Sequence, residues 1–136
     1  MRLDRRELTA IYVGGMLGAL ARVGIGRAVA APAGHWPWAT LVINVSGSFL
    51  LGYVATRLQE RLPQSTYRRP LVGTGFCGAY TTFSTVQLEL LTMFDRGHVA
   101  LALAYAVTSA VTGFGAVWLA TALVRRVRIV MPGAGR

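Results

Sequence analysis

Four long runs without a charged residue divide the chain, and they constrain its fold more than any other feature. The runs cover residues 8–21, 28–56, 70–88 and 99–124. A helix needs about 20 residues to cross the hydrocarbon layer of a bilayer. The pattern therefore predicts an all-helical membrane protein with spans near residues 7–30, 36–57, 69–94 and 98–124. Because the connections are short, we expect residues 1–136 to form a single transmembrane domain.

Composition supports the membrane assignment. Of the 136 residues, 54% are hydrophobic, which is more than a soluble core of this size can bury. The net charge of +9 does not indicate a nucleic-acid partner, because the arginines flank the apolar runs and do not gather on one soluble face. Cys77 is the only cysteine, so no disulfide framework is available.

The arginines predict one orientation in the membrane. If the N-terminus is cytoplasmic, eleven arginines lie on its side and two, Arg27 and Arg96, lie on the other. Positive charge is concentrated in cytoplasmic loops. We therefore expect a multi-pass protein of the inner (plasma) membrane with both termini in the cytoplasm. The eleven are Arg2, Arg5, Arg6, Arg57, Arg61, Arg68, Arg69, Arg125, Arg126, Arg128 and Arg136.

The third run contains glycines, hydroxyls and an aromatic residue in an otherwise apolar segment. Residues 73–89 read GTGFCGAYTTFSTVQLE. Backbone amides freed by a break in a membrane helix must find partners inside the protein, so such a segment is tolerated where it is buried or lines a polar path. We interpret it as the centre of an ion pore, with the helix broken near its middle.

The second and fourth spans carry polar or small residues every four positions, which places them nearly on one helix face. Asn44 can donate its amide hydrogens to an anion or bind the backbone of a broken neighbouring helix, and both interpretations stay open. Aligned hydroxyls can solvate an ion, although a single serine or threonine commonly bonds its own helix backbone. The residues are Thr40, Asn44, Ser48 and Gly52 in one span, and Tyr105, Ser109 and Gly113 in the other.

The first span has a comparable stripe of Gly14, Gly18, Arg22 and Gly26. For the glycines we favour close packing against another helix, because small residues let backbones approach. An arginine inside a span is costly, so Arg22 should face a partner, a cavity or water, or extend toward the interface.

Three blocks of the sequence resemble the small fluoride channels of the Fluc/CrcB family, in the right order. They are GGMLGALAR at 14–22, TLVINVSGSFLLG at 40–52 and GTGFCGAYTTFST at 73–85. The resemblance covers nearly the whole chain and implies a fluoride-specific ion channel, not an enzyme. It also implies an antiparallel, dual-topology dimer with two narrow pores.

The resemblance further implies roles for particular residues. Gly78 and Thr81 would offer backbone carbonyls to a structural Na⁺ at the dimer centre, and hard oxygen ligands suit that ion. Arg22 and Glu89 would lie in a vestibule or near a pore mouth. The pore itself would be lined by Asn44, Phe83, Ser84, Thr85, Tyr105 and Ser109.

Two features depart from the family pattern. The family usually has a second aromatic residue three positions after the first, whereas Val86 follows Phe83 here. Homodimers with dual topology also need a weak charge bias, and eleven arginines against two should hold this chain in one orientation. We therefore hypothesise pairing with a related, oppositely oriented subunit in place of a homodimer.

The expected function is passive export of fluoride across the lipid bilayer, which lowers its cytoplasmic concentration. Two alternatives stay open. A proton-coupled exporter of a small ion or drug needs a titrating group inside the membrane, for which Glu89 is the only acid well inside a span. A non-transporting assembly subunit would use the glycine stripes only for helix association.

Overall fold

The computed structural model of the chain describes residues 4–60 and 67–126, and all regular secondary structure within these ranges is helical. Four of the counted arginines, Arg2, Arg61, Arg128 and Arg136, lie outside the described residues. The elements are α1 (Arg5–Ala28), α2 (Trp38–Glu60), a π-helical segment (Arg69–Cys77), α3 (Gly78–Tyr80), α4 (Phe83–Asp95) and α5 (Val99–Arg126).

Three helices are long and apolar enough to cross a membrane. They are Arg5–Ala28, Trp38–Leu58 within α2, and Val99–Arg126. The third apolar run, expected as a span over 69–94, contains the π segment, α3 and α4, each too short to cross alone. Within the two described ranges the chain is therefore an all-helical protein with three long apolar helices and one run of shorter pieces.

Helix α1 packs tightly along the π segment through its small residues. A Cβ added to Gly14 would collide with the carbonyl oxygen of Leu71, and one added to Gly18 would collide with that of Phe76. Backbone approaches backbone at both positions, which confirms the interpretation of the glycine stripe as a packing surface there. At Gly26 a Cβ would meet nothing within 4 Å in this chain, so close packing there stays a prediction.

Contacts between helix ends place several arginines at one end of the molecule. Arg125 at the end of α5 forms an ion pair with Glu60 at the end of α2, with an N–O distance of 2.7 Å. Arg6 near the start of α1 donates a hydrogen bond of 3.2 Å to the hydroxyl of Tyr67, just before the π segment. The first turn of α1 and the last turns of α2 and α5 therefore carry their arginines at the same end.

The apolar core lies between α2, α4 and α5. Its buried members are Leu41, Val86, Met93, Ala102 and Tyr105. Val86 is 8% exposed within this cluster. Val86, which stands where the resemblance led us to expect a second aromatic residue, is therefore part of the core of this chain.

The close crossing of α1 and the π segment predicts a position-specific effect of adding one methyl group. Gly14→Ala would place that group against backbone atoms that cannot rotate away, so we expect a loss of about 1–3 kcal/mol of stability. Gly24→Ala is the matched control, since a Cβ at Gly24 meets nothing within 4 Å and alanine favours the helix. Thermal unfolding in detergent should separate the two variants, and equal midpoints would contradict the crossing.

Candidate functional site: a polar path along α2, α4 and α5

Helical geometry stops at Tyr80 and resumes at Phe83, with two extended residues between. Thr81 has φ −76° and ψ 155°, and Thr82 has φ −147° and ψ 118°. Thr82 caps α4, because its Oγ1 accepts a hydrogen bond of 3.2 Å from the backbone N–H of Thr85. Hydroxyl side chains at this position commonly replace the missing helical partner of such an amide.

Asn44 holds the extended backbone at Thr82 with both ends of its amide. Its Nδ2 donates to the Thr82 carbonyl oxygen at 2.9 Å, and its Oδ1 accepts from the Thr82 N–H at 2.8 Å. Of the two interpretations of Asn44, the structure places it on the backbone of the broken segment. One hydrogen of Nδ2 still has no partner among the described residues.

These bonds leave two carbonyl oxygens without their usual helical donors. The amide that would bond Gly78 O in a continuous helix is that of Thr82, which donates to Asn44 instead. The amide that would bond Thr81 O is that of Thr85, which donates to the Thr82 hydroxyl. Gly78 is also exposed, and a Cβ there would meet nothing within 4 Å. Within residues 4–60 and 67–126, two hard oxygen ligands therefore lack their helical hydrogen bonds, and such a ligand set fits a small hard cation such as Na⁺.

The residues that follow the extended pair divide into exposed and bonded side chains. The ring of Phe83 is 74% exposed, and Ser84 is exposed beside it. The Oγ of Ser84 lies 3.3 Å from Thr82 Oγ1, and Thr85 Oγ1 lies 2.9 Å from the same atom. The Thr82 hydroxyl thus joins two of the expected pore residues into one small cluster.

Glu89 lies between two hydroxyl groups from other helices. Thr40 Oγ1 donates to Glu89 Oε1 at 2.6 Å, and the Tyr105 hydroxyl donates to Oε2 at 2.8 Å. Thr40 and Tyr105 are both buried. Each carboxylate oxygen therefore has a donor, and the protons of both hydroxyls are directed at Glu89.

Ser109 lies one turn farther along α5 than Tyr105, and its Oγ is buried without a hydrogen-bond partner among the described residues. Three pairs of polar residues are spaced four apart, which is about 6 Å along a helix. Thr40 and Tyr105 contact Glu89 directly. The other member of each pair lies one helical turn away from this contact, so the polar groups form a path. The pairs are Thr40 with Asn44, Glu89 with Thr85, and Tyr105 with Ser109.

The path opens into a cleft of about 420 Å³ at the end of the molecule opposite the first turn of α1 and the last turns of α2 and α5. Thr40, Thr85 and Glu89 line it together with Thr92. The connection from α1 to α2 forms another part of the wall. The cleft gives access to the polar path from that end.

Arg22 is not among the residues that line this cleft, although Gly26, one turn later on α1, is. Arg22 is half-buried and makes no hydrogen bond or ion pair with another residue in 4–60 or 67–126. Its expected vestibule role stays a prediction.

Two residues of the path were missed as candidates by the sequence reasoning. Thr40 was noted only as part of a stripe, and its contact with Glu89 joins residues 49 positions apart. Thr82 carried a signal that could have found it, because a threonine just before a helical run is a common cap. Both residues act through hydrogen bonds to other members of the path.

Comparison with known proteins identifies the family of the chain. Residues 9–121 match the family described as CrcB-like protein, Camphor Resistance (CrcB). The chain is 56% identical over 126 residues to a protein of Mycolicibacterium paratuberculosis named fluoride-specific ion channel FluC 1, with 93% of this chain and 96% of the relative aligned. The same identity and coverage hold for a FluC 1 of Mycobacterium tuberculosis.

A more distant relative supports the same grouping. A FluC 2 of Nocardia farcinica is 41% identical over 131 residues, covering 91% of this chain and 94% of the relative. The family match at residues 9–121 includes nearly all of the four apolar runs and every residue of the polar path. The chain belongs to the CrcB family.

Proposed function

We propose that the chain forms a fluoride-specific channel that releases fluoride from the cytoplasm passively. The observation that carries the proposal is the continuous set of polar groups from the Asn44–Thr82 contact to the cleft at Glu89. Relatives at 56% identity bear the name fluoride-specific ion channel, which supports the choice of ion. The protein is then a channel and not an enzyme.

Donor groups along the path differ in their availability to an anion. The Ser109 hydroxyl lies near that of Tyr105 but makes no hydrogen bond of good geometry among the described residues, and Asn44 has one amide hydrogen left after binding Thr82. The exposed ring of Phe83 can present its edge, the positive part of its quadrupole, to an anion. We infer that these three groups replace most of the water that fluoride loses in the pore, with Ser84 and Thr85 contributing beside them.

Tyr105 and Glu89 are bonded to each other and are proposed to shape the path without binding the ion directly. Because the Tyr105 proton is bonded to Glu89, that hydroxyl cannot donate to fluoride at the same time. Both oxygens of the Glu89 side chain in turn accept hydrogen bonds, from Thr40 and from Tyr105, which hold that side chain against the wall of the path. Glu89 thus holds the wall of the path near its mouth.

We infer that the π segment, α3 and α4 cross the bilayer together as one interrupted span, and that two chains pair around it as an antiparallel dimer. Phe83, Ser84 and the free carbonyls of Gly78 and Thr81 lie on or near the surface of one chain. Lipid tails cannot satisfy such carbonyls, so a protein surface should cover them. A second chain would also complete the pore around the exposed Phe83 ring.

A structural Na⁺ between the subunits would be held by the carbonyl oxygens of Gly78 and Thr81, two from each chain. Bound there, the ion supplies positive charge that offsets the clustered carbonyl dipoles. Asn44 and Thr82 prepare this site, since their hydrogen bonds are what free the two oxygens.

The partner in the membrane is proposed to be a related chain of opposite orientation. Eleven arginines against two favour cytoplasmic termini for every copy of this chain. Names of the relatives are numbered FluC 1, FluC 2 and FluC 3, in keeping with more than one such chain per organism. Reporter fusions at both termini that face the two sides equally would contradict this pairing.

A channel is sufficient for fluoride relief because the membrane potential drives the anion outward. An inside-negative potential of 100 mV is worth about 2.3 kcal/mol per charge, which holds the anion about 50-fold below its outside level. A proton-coupled exporter would need Glu89 to exchange protons during transport, and a pH gradient would then drive uphill fluoride movement. An assembly subunit would carry no ion at all.

Purified chain reconstituted in liposomes should release fluoride rapidly and retain chloride, as measured with ion-selective electrodes. Release by this chain alone would show that copies of it can pair when orientation is not enforced. If it is silent alone but active with a related subunit, the mixed dimer is supported. If it is silent in both cases although folded, the channel proposal fails.

Asn44→Ala should abolish fluoride release and destabilise the protein by about 2 kcal/mol or more, because the Thr82 N–H and C=O lose their partners together. Thr112→Ala is a matched control, since the Thr112 hydroxyl bonds only the carbonyls of its own helix. Efflux and thermal unfolding measured on both variants check this. Normal efflux by the Asn44 variant would show that the two hydrogen bonds between Asn44 and Thr82 are not needed for fluoride release.

Phe83→Ile should slow fluoride release about tenfold, which corresponds to about 1.4 kcal/mol of lost ion stabilisation. Phe114→Ile provides a control at a ring of similar exposure, 80% against 74%, on the surface of α5. Efflux rates normalised to the amount of dimer would report the difference. Equal efflux rates for the two variants would show that Phe83 does not line the ion path.

A further inference from the structure

The connection between α1 and α2, residues 29–37, has little internal support. Among the described residues its one backbone hydrogen bond between two of its own members runs from His35 N–H to Pro32 O at 3.2 Å, while Val29 at one end and Trp36 and Pro37 at the other are bonded to the adjoining helices. Most of this connection nevertheless lines the cleft that leads to Glu89. Its position as a wall must therefore depend on contacts with other parts of the chain.

Trp36 of the connection packs against the core, with 5.7 Å between the centroids of its ring and that of Tyr105, and two side chains from the turn between α4 and α5 hold the middle of the connection. Arg96 Nη1 donates to the carbonyl oxygen of Ala33 at 2.6 Å, and His98 Nδ1 lies 3.1 Å from the carbonyl oxygen of Gly34. The carbonyls of two neighbouring residues, Ala33 and Gly34, are thus held by the two side chains that flank Gly97.

The backbone at both sites is shaped for this contact. Gly34 has φ +81° and Gly97 has φ +76°, a region that glycine adopts without strain. A Cβ on Gly34 would lie 2.9 Å from Cδ of Arg96, so the arginine stem lies directly over the glycine. Both the hydrogen bonds and the close approach depend on these two glycines.

We propose that Arg96 and His98 form a latch that fixes the 29–37 connection as the outer wall of the cleft and so sets the width of the ion entrance. The proposal rests on the proposed function in that the cleft is taken as the route to the pore. Arg96 caps the C-terminal end of α4, the helix that carries Thr85 and Glu89. The latch therefore ties the wall of the entrance to the same helix that carries the polar path.

The latch predicts that breaking it opens the cleft to reagents larger than fluoride. Thr92 lines the cleft and is half-buried, so a Thr92→Cys variant places a reporter thiol there. The native Cys77 is 2% exposed, which keeps background modification low. The rate of modification by an anionic methanethiosulfonate reagent then measures how far the cleft is open.

In the Thr92→Cys protein, Arg96→Ala should raise the modification rate about tenfold, the factor expected for losing a hydrogen bond from a charged donor. Arg27→Ala is the matched control, because Arg27 is exposed and makes no hydrogen bond to another described residue. Removing either positive charge should by itself slow an anionic reagent. An increase in the Arg96 variant alone therefore reports opening and not electrostatics.

Three further variants keep the test decisive if Arg96→Ala does not fold. His98→Ala should raise the rate by a smaller factor, and Gly34→Ala should raise it because its methyl group displaces the Arg96 stem. Arg96→Gln keeps an N–H donor without the charge, so its rate should lie between those of the parent and the alanine variant. Unchanged rates in all folded variants, or an equal increase with Arg27→Ala, would overturn the latch.

Labelling does not require ion conduction, so this test is independent of the proposed function. A chain that labels as expected but releases no fluoride in liposomes would support the latch and refute the channel. A chain that releases fluoride normally but shows no change in labelling would support the channel and refute the latch.

Discussion

The paired hydrogen bonds between Asn44 and Thr82 are the constraint on which the rest of the site depends. An extended residue inside an apolar run exposes an N–H and a C=O, each of which costs about 1–3 kcal/mol when buried without a partner. One amide side chain satisfies both. Because Asn44 accepts the hydrogen bond of the Thr82 N–H, the Gly78 carbonyl loses its helical donor. A new helix then begins at Phe83, and the side chain of Phe83 is exposed and not part of the core.

The hydrogen-bond donors along the path differ in whether they are already bonded to the protein. Glu89 accepts hydrogen bonds from Thr40 and Tyr105, while the Oγ of Ser109, one turn away, has no hydrogen-bond partner of good geometry among the described residues. A buried polar group without a partner is unusual in a folded protein and calls for a ligand or a functional reason. In the proposed channel that reason is the passing anion, which needs hydrogen-bond donors that are not already bonded to protein acceptors.

The positions of the helices could be predicted from the sequence because charge and hydropathy report where a segment meets lipid. The expected span near 98–124 corresponds to α5 at Val99–Arg126, and the expected stripes did lie on helix faces. Contacts between distant elements could not be predicted in this way. No local pattern shows that Thr40 bonds Glu89, that Asn44 binds the backbone of Thr82, or that residues 69–77 adopt π geometry, since each depends on a neighbouring helix.

The burial of Val86 has a consequence for how this chain can evolve. A valine in a core cluster with Leu41 and Tyr105 cannot be exchanged for phenylalanine without making room for a larger side chain. Tyr105 is fully buried and bonded to Glu89, so it has little freedom to yield. An aromatic residue at position 86 would therefore require coordinated substitutions in the two other helices that pack on it, so this position cannot change independently of them.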